Sequence, residues 1–146
     1  MNHCFTYGSL MCPDIMNDVC GSAFEGHNAQ LTGYNRFSIR DEHYPGMIAC
    51  ERPSTDCAVQ GVVYLNVTPM ALKRLDEFEG EMYQRQTVEV FLADGKTITA
   101  QTYVIRPDFI DVLEDEPWSF EAFLKTGKPL FQSQYQGYRA IEAKFV

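Results

Sequence analysis

Short apolar runs separated by turn residues make up most of this chain, and only a few stretches repeat at helical spacing. Cys4 to Thr6 predicts a short buried strand, ended by Tyr7-Gly8-Ser9-Leu10. Pro13 is placed to open a short helix through Val19, which Gly21 stops. Leu31, Tyr34, Phe37 and Ile39, between Gln30 and Arg40, predict two short strands around Gly33. Tyr44-Pro45-Gly46 reads as a turn, with a strand from Met47 to Glu51. Residues 58–67 are rich in β-branched side chains and predict a longer strand. Thr68-Pro69 then supplies a hydroxyl N-cap followed by proline at the first helical position. Leu72, Leu75 and Phe78 form the apolar stripe of that helix, and Gly80 ends it. Thr87 to Leu92 and Thr97 to Ile105 flank Ala93-Asp94-Gly95-Lys96, the strongest hairpin signal present. Pro117 predicts a last helix, with Phe120, Phe123 and Leu124 on one face and Gly127 past its end. Residues 128–146 are aromatic and carry no clear period.

Many short strands with two or three helices predict an α+β fold, built on a mixed sheet or small barrel. A doubly wound α/β fold fits poorly, because strands and helices do not alternate. The length, 146 residues, suits a single domain over 1–146, with no internal repeat or linker. Eight Tyr, ten Phe and one Trp are too much aromatic surface for a disordered chain.

Charge narrows the partners. The net charge is −8 and no Lys/Arg run exists, which argues against nucleic acid and against an anionic membrane surface. Apolar runs such as Val62 to Leu65 are far shorter than the roughly 20 residues a membrane helix needs. The start, Met1-Asn2-His3-Cys4-Phe5, lacks the basic and apolar blocks of a signal peptide, so the expected location is cytoplasmic. Five cysteines (Cys4, Cys12, Cys20, Cys50, Cys57) in such a chain predict free thiols rather than a disulfide framework. No Cys-x-x-Cys or His-x-x-x-His pair occurs, so metal chemistry has little support.

Two segments carry candidate chemistry. In Phe5-Thr6-Tyr7-Gly8-Ser9-Leu10 a strand runs into a glycine-containing turn. Such a turn can aim successive backbone N–H groups at one carboxylate or oxyanion. In Leu75-Asp76-Glu77-Phe78-Glu79-Gly80-Glu81, four carboxylates fall within six residues, and Glu79 takes the last helical position. There the helix dipole disfavours an anion, and Asp76, Glu77 and Glu81 repel it. Both effects, with burial, raise a carboxyl's proton affinity toward that of a general acid/base. Ser9 lacks the Gly-x-Ser-x-Gly context of a nucleophile, and nothing pairs Cys12 or Cys20 with His27.

Together, Tyr7-Gly8-Ser9-Leu10, Leu75-Asp76-Glu77-Phe78-Glu79-Gly80 and Tyr83-Gln84-Arg85 resemble the γ-glutamylcyclotransferase-like family, in its AIG2-like and γ-glutamylamine branch. The similarity covers about the first 105 residues. It implies a small mixed β-barrel with a few flanking helices. It also implies cleavage of a γ-glutamyl amide by its own α-amine, giving 5-oxoproline and a free amine. Tyr7, Gly8, Ser9 and Leu10 would form the substrate loop, Glu79 would be the catalytic acid/base, and Tyr83 would stand near the pocket. The Tyr44-Pro45-Gly46 segment falls where relatives line the pocket. No metal, nucleotide or other cofactor is implied, and the partner is a small γ-glutamyl molecule. The leaving amine and the oligomeric state stay open. The main rival is a non-enzymatic module binding a small ligand or a protein through the same pocket. A thiol redox protein is a third reading, resting on the cysteine count alone.

Overall fold

The computed structural model describes residues 2–50 and 57–129. Five strands close a barrel: β1 (Asn2–Thr6), β2 (Gly26–Thr32), β5 (Ala58–Val67), β6 (Tyr83–Leu92) and β7 (Thr97–Ile105). Their order around the barrel is β1-β5-β2-β6-β7. All pairs are antiparallel except the closing pair, in which β1 lies parallel to β7 with Cys4 opposite Gln101. A second sheet runs β4-β3-β8, from β3 (Tyr34–Ile39), β4 (Pro45–Ala49) and β8 (Leu113–Pro117). The expected α+β mixed barrel is therefore present, with a small sheet added to it.

Alternation along the strands sorts the side chains into two clusters. Phe5, Leu31, Val59, Val63, Val90 and Val104 come together from all five barrel strands, with Met47 of β4 inserted among them. Cys4, Tyr64, Val67, Tyr83 and Tyr103 belong to the other cluster, covered by α1 (Pro13–Cys20) and α2 (Pro69–Glu79). Gly61 of β5 lies against the Thr6 carbonyl and the Phe5 ring, so any side chain there would force β1 and β5 apart. The helices keep their predicted ends. The Thr68 hydroxyl accepts from the Ala71 N–H, and Gly21 and Gly80 both take φ of 75°. Arg74 of α2 donates through Nε to the Val19 carbonyl at 2.6 Å, meeting a carbonyl left open at the end of α1.

Four expectations need correction. Pro45 and Gly46 are strand residues, not a turn: proline is tolerated as the first residue of edge strand β4. A Cβ on Gly46 would lie 2.6 Å from Ile105 and 2.7 Å from Leu113, so glycine serves close packing of the two sheets there. Glu51, the expected end of that strand, lies outside the described residues. Next, Pro117 ends β8 instead of opening a helix. The helical segment begins at Phe120, capped by the Ser119 hydroxyl, and passes into a π-helical turn over Phe123–Gly127. Gly127 thus lies inside it, and Leu124 is exposed while Phe123 is buried. Third, β8 (Leu-Glu-Asp-Glu-Pro) has no strand signal in its sequence; β3 recruits it, pairing Ile39 with Leu113 and Phe37 with Pro117. Fourth, Cys50 and Cys57 form a disulfide, while Cys4, Cys12 and Cys20 are free and buried. Both N–H and C=O of Gly33 are used here, the first donating to Cys57 (2.7 Å) and the second accepting from Cys50 (2.9 Å). The two Cα atoms are thereby held 6.6 Å apart, within bonding range. A cysteine count cannot report that juxtaposition. The unassigned tail beyond Lys128–Pro129 lies outside the described residues.

Candidate active site

Where β1 ends, the backbone leaves the barrel and turns. Gly8 accepts from the Met11 N–H at 3.0 Å, and Ser9 from the Cys12 N–H at 3.1 Å. Leu10 is anchored through its carbonyl, which accepts from the buried Tyr64 hydroxyl at 2.9 Å. The amide N–H groups of Gly8, Ser9 and Leu10 find no acceptor among the described residues, and neither does the Ser9 hydroxyl, although Ser9 is only 5% exposed. Gly8 has φ −132°, so it is not held by left-handed backbone. Its constraint is space: a Cβ would lie 2.7 Å from the Pro45 ring.

This turn lines a cavity of about 380 Å³. Tyr7, Gly8, Ser9, Leu10, Glu79 and Tyr83, all the candidate site residues, line it together. So do Tyr44 and Pro45 of the third quoted segment; Gly46 does not. Phe78, Met82, Tyr103 and Phe109 complete the apolar wall, and exposed Glu81 stands beside them. No Lys, Arg or His is among these lining residues.

Glu79 ends α2 and faces this space. It is half-buried by area because the cavity opens onto it, yet protein surrounds its carboxyl. Its pKa is pushed up to about 8, first by burial and then by the Asp76 carboxylate one turn earlier. Burial is the main cause, and among the described residues Asp76, rather than Glu77 or Glu81, is the like charge that adds to it. No hydrogen-bond donor reaches the Glu79 carboxyl among the described residues.

Aromatic hydroxyls organise the surroundings. Tyr7 donates to the Tyr103 carbonyl at 2.6 Å, and Tyr83 donates to the Pro45 carbonyl at 2.8 Å. Burial raises both phenols well above their usual range, so they stay neutral. Tyr103 donates to Asp76 at 2.6 Å, and Arg85 lies 3.6 Å from the other oxygen of the same carboxylate. Sequence reasoning missed Tyr103, Phe109 and Met82. Tyr103 had the only available signal, its place in the alternation of β7, but that says nothing of which strand lies opposite.

A family model described as γ-glutamyl cyclotransferase, AIG2-like, matches residues 4–120. The chain belongs to that family. The match runs beyond the 105 residues over which the motifs are convincing, into β8 and Trp118. Among this family's plant members, AIG2-like protein D of Arabidopsis thaliana is 34% identical over 137 residues, covering 88% of each chain. A solution structure of another Arabidopsis thaliana protein superposes with a TM-score of 0.70 at 26% identity, covering 90% of this chain and 78% of that one. A solved γ-glutamyl cyclotransferase gives a TM-score of 0.65 at 22% identity over 97% of this chain and 86% of its own. That likeness shows the shared five-stranded barrel with its few helices. None of the helices among the described residues is long and apolar enough to cross a membrane.

Proposed function

We propose that this chain is itself a γ-glutamyl cyclotransferase, with Glu79 as its general acid/base and the Tyr7–Leu10 turn as its substrate loop. One observation carries the reading. A carboxyl that no donor among the described residues reaches, in largely apolar surroundings, faces a cavity also lined by the Gly8, Ser9 and Leu10 N–H groups, which find no acceptor among those residues. Buried polar groups are ordinarily satisfied within the protein, so groups left open around a cavity serve a ligand.

The substrate is a γ-glutamyl amide, and its α-amine attacks its own γ-carbonyl to close a five-membered lactam. Because nucleophile and electrophile share one molecule, effective molarities of about 10⁵ M or more are available before the protein contributes. What remains is proton transfer and charge stabilisation. The attacking nitrogen enters as an ammonium and ends as a lactam N–H. The departing nitrogen leaves as an ammonium, so two protons cross from one nitrogen to the other and none is consumed. Glu79 relays them one at a time: it takes the first before attack and the second from the tetrahedral intermediate, returning one to the departing nitrogen as the C–N bond breaks and the other to the free amine. At a pKa of about 8 its proton affinity approaches that of an amine, which makes the exchange nearly even in both directions. With no cationic side chain in the lining among the described residues, the substrate α-carboxylate and the tetrahedral oxyanion fall to the loop N–H groups. Each well-placed donor of that kind is worth roughly 3 kcal/mol. Tyr83 and Tyr7 shape the wall around the glutamyl group.

The test uses a panel of γ-glutamyl amides, each with a free or an acetylated α-nitrogen, in ¹⁸O-water. Cyclisation gives unlabelled 5-oxoproline and leaves every acetylated substrate intact. Labelled glutamate, or turnover of an acetylated amide, would mean hydrolysis and overturn the reading. No turnover anywhere, with 5-oxoproline still bound, would make the chain a binding module.

A further inference from the structure

Behind the substrate loop, outside the cavity, lies a half-buried arginine. Arg36 of β3 donates through Nη1 to the Tyr7 carbonyl at 2.8 Å and to the Gln60 carbonyl at 3.0 Å. Its guanidinium lies 5.1 Å from the centre of the Trp118 ring. The Trp118 indole is itself fixed, donating to the His43 carbonyl at 2.9 Å. We propose that Arg36 is a positioning residue for the substrate loop: by holding the Tyr7 carbonyl from behind, it turns the Gly8 N–H into the cavity and strengthens it as a donor to an anionic group of the ligand. The proposal rests on the cyclotransferase reading for what the ligand is, but not for the state of the loop.

Three observations lead there. First, the peptides are trans, so the Tyr7 C=O and the Gly8 N–H point in opposite directions across one rigid plane. Arg36 does not line the cavity and Gly8 does, so a carbonyl turned to the guanidinium leaves the N–H turned to the cavity. Second, the Gly8 N–H has no acceptor among the described residues, and the buried Ser9 hydroxyl beside it has none either. Third, none of the lining residues among those described is cationic, so within them a bound carboxylate or oxyanion depends on neutral donors. A charge-assisted bond on the carbonyl side of an amide polarises its N–H, passing part of the arginine's effect to the ligand without a salt bridge. Burial lowers the proton affinity of Arg36, but a guanidinium still keeps its charge.

Arg36→Met and Arg36→Lys are compared with the wild-type chain by two measurements: the Gly8 amide in ¹H–¹⁵N spectra without ligand, and calorimetric titration with 5-oxoproline. In Arg36→Met the Gly8 proton moves upfield and affinity falls roughly tenfold or more, the loss expected for one charged hydrogen bond acting at one remove. Arg36→Lys, which keeps the charge and a donor, recovers part of both. A purely structural arginine would lower the melting temperature in both variants and leave the Gly8 shift and the affinity of the folded fraction alone, and that result overturns the proposal. If Arg36→Met does not fold, Arg36→Lys decides: a displaced Gly8 proton with weakened binding supports the proposal, and an unmoved one overturns it. A wild-type chain that neither binds 5-oxoproline nor cyclises any γ-glutamyl amide would defeat the cyclotransferase reading. The ligand-free Gly8 shift would then still decide whether Arg36 sets the loop.

Discussion

On its barrel side the cavity wall sets the Glu79 carboxyl and two hydrogen-bonded tyrosines beside Phe78 and Met82, whereas on its small-sheet side the wall is rings and backbone. The barrel side brings Tyr7, Tyr103 and Glu79 together, with Asp76 and Arg85 behind them, from β1, β7, α2 and β6. The other side is Tyr44, Pro45 and Phe109. Two features join the halves: the Tyr83 hydroxyl on the Pro45 carbonyl, and the close fit of Gly8 against the Pro45 ring. Under the cyclotransferase reading the contrast separates two jobs. Proton transfer needs a carboxyl held in a fixed dielectric, which a closed barrel with a packed helix end supplies. Fit to a particular amide needs a wall whose shape can differ, which the Tyr44 and Phe109 rings supply, since neither belongs to a barrel strand.

The largest effect should come from the barrel side. Glu79→Gln keeps the shape but cannot carry a proton, and kcat should fall about 10²-fold or more, while Glu77→Gln, exposed and outside the cavity, leaves it unchanged. The same variant should be more stable than the wild type in a pH-dependent way. The Glu79 pKa is raised from 4.5 to about 8 on folding, so between those values the folded state holds more protons than the unfolded one. Stability of the wild type therefore falls as pH rises through that window, and the Gln variant escapes the loss. Its advantage should be absent below about pH 4.5 and reach about 5 kcal/mol above pH 8, on the order of 10–20 °C in thermal melts run at each pH. An advantage that stays constant with pH would contradict the raised pKa.

At the seam between the two walls, Gly8→Val must displace Pro45, so both 5-oxoproline affinity and melting temperature should drop, the first by about tenfold. A loss of stability with unchanged affinity would separate the loop from the site. Smallest is Tyr83→Phe, which leaves the Pro45 carbonyl without its donor. It should cost about 1 kcal/mol in denaturant unfolding and raise KM a few-fold at nearly constant kcat. A fall in kcat equal to that of Glu79→Gln would move Tyr83 into the chemistry.

The same division governs what the chain reveals before it is folded. Helix α2, its Thr68 cap, its Gly80 stop and Glu79 between them are local features, and local rules read them correctly. The Asp-Gly hairpin joining β6 and β7 is equally local. The small-sheet side is not. Pro45-Gly46 has turn chemistry, but Gly46 is chosen by the proximity of Ile105 and Leu113, far along the chain. The acidic strand β8 exists because β3 offers an open edge. The Glu79 environment was half legible: charge repulsion could be counted along the helix, but burial, the larger cause, comes from elements the helix does not contain. Arg36 left no mark in the sequence at all, since its partners lie at Tyr7, Gln60 and Trp118.

The parallel closure of β1 on β7 also sets an order of events. The Thr102 hydroxyl holds the Phe5 carbonyl across 97 residues, and Tyr7 reaches Tyr103 across 96. These contacts close a very long stretch of chain, so they cost more loop entropy than the local hairpin and helices do. During synthesis the N-terminal strand leaves the ribosome first but has no lateral partner at this seam until β7 follows. Until then Tyr7 lacks the Tyr103 carbonyl that receives its hydroxyl, although Arg36, Pro45 and Tyr64 are already there to hold the turn. Under the cyclotransferase reading, a truncated chain ending before β7 carries every residue of the turn without the barrel closure behind it, and its 5-oxoproline binding should be lost.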